Sequence, residues 1–175
     1  NSDRRQRQMC IRDRFKGMEL FDYLPQFKDW LMCASIDGTG DIVEFIRKGI
    51  VWEEWLANFK KGLAAPGGKD KMLFDLTITG PGMFSIKDLF DLSLELDVRI
   101  ETKIMFAFHA DIVFSPFAWP KHILNRHLDE LLAYIEPKAT PKQQTLVNTL
   151  KGMKDRQTFQ AVSYTHLTLP TIAVV

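Results

Sequence analysis

The sequence predicts an α/β fold in which parallel strands alternate with helices, and three observations lead there. Apolar segments of strand length at 29–37, 72–79 and 99–108 are separated by stretches with helical spacing. Each connection exceeds ten residues, too long for a hairpin and long enough for a right-handed crossover. Gly38, Gly40, Gly80 and Gly82 follow the first two segments and mark turns at strand carboxyl ends, where such folds bind ligands. Only three strands can be counted, which would leave a half-covered sheet with two edges. The expectation is therefore the carboxyl-terminal half of a TIM-like barrel with parallel strands, followed by helices.

The elements follow in order. Leu20, Phe21 and Leu24 are spaced for one buried helical face, and Pro25 stops that helix. After the strand at 29–37, a short helix spans 41–47, with Asp41 suited to cap it. A longer helix at 51–63 places Trp52, Trp55, Leu56 and Phe59 on one stripe, and Gly62 lies near its end. A Gly/Pro/Lys loop at 64–71 leads into the strand at 72–79. Ser85-Ile-Lys-Asp88 then reads as a capping-box-like start to a helix reaching about residue 96. Beyond the third strand and an apolar loop through Trp119-Pro120, an amphipathic helix occupies 122–135. Thr140-Pro141 opens another, with Thr favoured at N-cap and Pro at N1.

Both ends are set apart by their composition. Residues 1–14 and 162–175 look like translated sequencing-adapter DNA and are excluded from the fold argument. The expected organisation is an adapter-like 1–14, a barrel half at 15–136, a post-barrel helix at 137–161, and an adapter-like 162–175. Residues 1–14 hold five arginines and two aspartates, so the whole chain's +1 becomes −2 without them. The basic balance then gives no argument for nucleic acid or an anionic membrane as partner. No apolar run reaches the roughly 20 residues a bilayer span needs, and no signal peptide is recognisable. With Cys10 set aside, Cys33 is the remaining cysteine, which allows no disulfide framework and no metal-ligand pair. A cytoplasmic protein is the default reading.

The chemistry-bearing residues concentrate after the first strand. Ser35-Ile-Asp37-Gly38-Thr-Gly40 ends an apolar run, and Arg47 lies twelve residues beyond the serine. A hydroxyl, a carboxylate and a guanidinium are thus expected at one mouth. More simply, Asp37 and Gly38 build a turn, Asp accepting backbone N–H groups and Gly taking positive φ. Arg47 alone would suit a helix end. Trp52 and Trp55 read as core stripe rather than a stacking platform, and Cys33 as a small buried apolar residue. His109 and Asp111 follow the third strand, where a ligand would sit, although a lone histidine is commonly structural. Lys60-Lys61 and 69–71 read as solvated charges.

The segment from Ser35-Ile-Asp-Gly through Phe45-Ile-Arg47-Lys-Gly49 to Trp52 and Asn58 resembles the fourth-strand region of radical SAM enzymes, closest to the twitch/SPASM group. More weakly, the likeness extends over 15–160. It implies a partial (β/α)6 barrel in which a 4Fe–4S cluster holds S-adenosylmethionine and generates a 5′-deoxyadenosyl radical for hydrogen abstraction. Protein groups in such sites orient the cofactor and exclude water. By position, Ser35 corresponds to a serine bonding the cofactor's methionyl or ribose groups, and Arg47 to the arginine pairing with its carboxylate. Asp37 and Gly38 join that cofactor-binding set, and Thr79 and His109 stand where substrate would lie. Relatives modify peptides among other substrates, so a peptide is one expected partner.

The departures are concrete. No Cys-x3-Cys-x2-Cys occurs in the chain, and Thr79-Gly80-Pro81 replaces the Asn or other polar residue of many relatives. As it stands the chain is expected to be inactive, its cluster cysteines belonging to a longer parent. The alternatives are a non-catalytic α/β binding or scaffold domain with a degenerate barrel, and a phosphatase-like hydrolase suggested by Asp37-Gly38-Thr39. The latter needs a nucleophilic carboxylate at the position held by Ser35.

Overall fold

A computed structural model describes residues 20–105, 113–156 and 158. The adapter-like ends, His109, Asp111 and the expected strand end at 106–108 lie outside the described residues. A short α1 (Leu20–Tyr23) and a 3-10 turn precede β1 (Met32–Ile36), which leads into α2 (Gly40–Ile46) and α3 (Trp52–Ala64). The helical turn α4 (Gly68–Lys71) feeds β2 (Met72–Ile78), followed by a 3-10 segment (Pro81–Ser85) and α5 (Ile86–Glu95). Then come β3 (Arg99–Ile104), α6 (Lys121–Ile135), a 3-10 turn (Pro141–Gln143) and α7 (Gln144–Lys154). The three strands are parallel in the order β1-β2-β3, each paired with its sequence neighbour. Parallel α/β architecture is therefore observed, with β1 and β2 somewhat shorter than the apolar runs implied.

Register separates the sheet into two unlike faces. Ser35 lies opposite Asp75, Asp75 opposite Glu101, and Thr77 opposite Lys103. Because strand side chains alternate, these residues share one face with Cys33, Leu73 and Arg99. The opposite face carries Ala34, Ile36, Phe74, Leu76, Ile78 and Ile100, all buried. Against it pack Phe59 of α3, Leu89 and Phe90 of α5, Leu124 and Leu128 of α6, and Leu146 and Leu150 of α7. The tryptophan stripe lies where the helical spacing put it. Trp55 stacks on Trp52 and Phe59 at 5.6 and 5.3 Å between centroids, and Phe59 meets Phe74 of the sheet at 4.7 Å.

Helix α7, within the segment expected as a post-barrel helix at 137–161, contributes to this same core. Helix α7 packs on β3, where Thr102 and Thr149 hydroxyls lie 2.6 Å apart. Its start follows the cap chemistry of Thr140 and Pro141. Thr140 Oγ1 accepts from Lys142 N at 3.3 Å, Gln143 completes a capping box, and Gln143 Nε2 donates to Val98 O at 3.0 Å. Among the described residues no helix is long and apolar enough to cross a membrane.

Candidate functional site

The site is built where β1 ends. Two turns lock together there: Asp37-Gly38-Thr39 after β1, and Thr79 through Ser85 after β2. Ser85 Oγ donates to Gly82 O at 3.1 Å and accepts from Thr39 N at 3.3 Å. A Cβ on Gly38 would stand 2.6 Å from Ser85 Oγ, and one on Gly82 would overlap the carbonyl of Asp37. Both glycines are thus required by close approach. Positive φ falls instead on Gly40, at +53°, which corrects the expectation for Gly38. Two capping expectations change as well. The hydroxyl of Ser85 is committed to this contact and makes no cap bond for α5. Asp41 lies inside the first turn of α2, whose N-cap is Thr39.

These turns hold Asp37 at 6% exposure. The expectation that its carboxylate would gather turn N–H groups is replaced by a stronger partner. Arg47, just past the end of α2, grips it with two donors, Nε to Oδ2 and Nη2 to Oδ1 (3.0 Å). Such a bidentate, charge-assisted pair fixes the plane of the guanidinium. Only two of the five guanidinium N–H donors are used in it. The Arg47 side chain is 17% exposed, so it is not sealed from solvent.

Ser35, two residues earlier, points onto the polar face of the sheet. Its hydroxyl donates to Asp75 Oδ2 at 3.2 Å, and Lys103 Nζ reaches the same oxygen at 2.6 Å. One carboxylate therefore ties all three strands together, each contributing one polar side chain. Neither Asp75 nor Lys103 was among the expected site residues. The signal was present: Asp75 is the one charged residue in the largely apolar Met72–Ile78. Cys33 stands on this face too and is exposed, not buried as expected, because the pleat places it in phase with Ser35.

Thr79 has a structural task. It is 2% exposed, and its Oγ1 accepts the N–H of Gly82 at 3.0 Å, so little of it faces a ligand. Ser35, Asp37, Gly38 and Arg47 are thus brought to one strand end, with Thr79 beneath the neighbouring turn. The cysteine triad of an iron–sulfur site does not fit this chain: its cysteines are Cys10 and Cys33 alone. Among the described residues no three His, Cys, Asp or Glu side chains gather as metal ligands. No protein-family model, no curated protein and no solved structure matches the chain.

Proposed function

We propose that the end of β1 binds the amino-acid moiety of S-adenosylmethionine, as one wall of a radical SAM barrel whose cluster ligands belong to other sequence. The observation that carries this reading is the bidentate grip of Asp37 on Arg47. An arginine held in one plane, with three donors not engaged among the described residues, is preorganised for a second carboxylate. The polar sheet face agrees with it. A parallel sheet packed by helices on both sides would be apolar on both, whereas this face carries Ser35, Asp75 and Lys103, polar groups that a ligand-facing surface can use.

In that role Arg47 orients the carboxylate, and Asp37 orients Arg47. Ser35 offers its oxygen to a donor on the ligand while its proton remains on Asp75. S-adenosylmethionine, if bound, would supply the reactive carbon, and this chain's residues would only hold and orient it. Its substrate on this reading is unassigned, a peptide being one class.

The test is titration of S-adenosylmethionine onto the chain, followed by saturation-transfer NMR. Arg47→Ala is expected to weaken binding by about 1.5–3 kcal/mol, the worth of a hydrogen bond to a charged group. Equal binding by wild type and variant, or none by wild type, removes the proposal. One observation favours a second reading as a plain α/β binding or scaffold domain: Arg47 and Ser35 both have internal carboxylate partners. Under it the substitution lowers stability and the cofactor never binds.

A further inference from the structure

A cavity opens beside this mouth, and neither of the mouth's carboxylate contacts lies in its lining. It encloses about 360 Å³ between the start of α2, the turn after β2 and the loop at 113–119. Three aromatic side chains, Phe45, Phe84 and Trp119, line it together with Val113. Phe45 is 71% exposed and Phe84 66%, a large apolar area to leave in water. Phe84 and Trp119 rings stand 5.2 Å apart at a tilt of 37°, held from behind by His127, which is 5.7 Å from each. Gly80 forms part of the wall, where a Cβ would come within 3.3 Å of Trp119 Nε1 and narrow the space.

A single formal charge lies on the described lining, and it is negative. Asp41 stands at the rim on the first turn of α2. Its full charge outweighs the roughly half-unit positive end of so short a helix. Aromatic faces attract cations through their quadrupole, and a carboxylate at the rim adds direct attraction. We propose that this cleft binds an organic cation bearing an apolar or aromatic group, of the alkylated ammonium class. The rings take the cation and its apolar part, and Asp41 takes the remaining charge. The volume fits one such molecule.

The probe is phenyltrimethylammonium, titrated onto the full chain while the Trp119 indole N–H resonance is followed, assigned by Trp119→Phe. Saturable shifts are expected. Tert-butylbenzene, the same shape without charge, is expected to bind at least about tenfold more weakly. Asp41→Asn and Phe45→Ala, both at exposed positions, are each expected to weaken the cation by about three- to tenfold. Equal binding of the neutral isostere, or unchanged affinity in Asp41→Asn, overturns the proposal, as does the absence of any shift. Concentration-dependent shifts of the same resonance without probe would seat a second copy of the chain in the cleft, and would overturn it as well.

Discussion

Two side chains decide how the mouth is built. Asp37 is nearly buried and Arg47 mostly so, and each has the other as its charged partner. Removing one partner strands the other where water reaches it poorly, which costs more than the pair itself contributes. Asp37→Ala is expected to lower stability by about 2–4 kcal/mol in urea denaturation. Combined with Arg47→Ala, the loss should fall short of the sum by about 1–3 kcal/mol, the coupling of a contacting pair. Strict additivity would mean that the ion pair does not form in solution. The glycines supply a sharper contrast. At Gly82 a methyl group meets the backbone carbonyl of Asp37, which cannot move without shifting the site. At Gly40 nothing lies within 4 Å, and the cost is only that of φ +53°. Gly82→Ala should therefore cost about 3 kcal/mol through overpacking, and Gly40→Ala about 1 kcal/mol. If the order were reversed in thermal denaturation, the two turns would not be pressed together.

Elements differ in how far their own residues announce them. The stripe Trp52, Trp55 and Phe59 and the cap Thr140-Pro141 are local patterns, so spacing and residue type were enough to place α3 and the start of α7. Ser85 is different. Its position three residues before Asp88 is that of a cap, yet its hydroxyl donates to Gly82 O three residues back and accepts from Thr39 N, a tertiary contact no local window contains. Asp37 failed for the same reason, its partner lying ten residues away beyond a helix. Cys33 was misplaced because a run of apolar letters does not say which face is covered. Its place in the row of Ser35, which pairs with Asp75, puts it on the polar face, and that pairing is a property of the assembled sheet. The cap at α7 offers a test of what was legible. Thr140→Ala should cost about 1 kcal/mol. Gln143→Ala should cost about 2 kcal/mol, because Gln143 is 1% exposed and its loss leaves the buried Val98 carbonyl without its donor. Equal losses in thermal denaturation would reduce Gln143 to an ordinary cap residue.

At the scale of the molecule, the question is what the polar face of the sheet meets. One face is sealed by four helices, while the other carries Asp75, Glu101 and Lys103 in adjacent strands, with the Lys103 side chain 55% exposed. Parallel sheets are ordinarily covered on both sides, since their crossovers supply helices to each. Here the helices that follow β1, β2 and β3 all contribute to the core on the apolar side, as in any sheet covered on one face and as the proposed barrel wall would require. In the proposed barrel this other face would turn toward the ligand side, where Ser35, Asp75 and Lys103 would reach ligand or water. Cys33 reports on that face directly, because it shares the row of Ser35 and is exposed. Native-state alkylation with iodoacetamide, mapped by peptide mass spectrometry to separate Cys33 from Cys10, should proceed near the rate of an unhindered thiol. Urea below the unfolding transition should not accelerate it. Protection of Cys33 by about tenfold or more, released only on unfolding, would mean that the face is packed against protein. The Ser35–Asp75–Lys103 contacts would then be a buried tie between layers, and the case for a ligand-facing surface would fall with them.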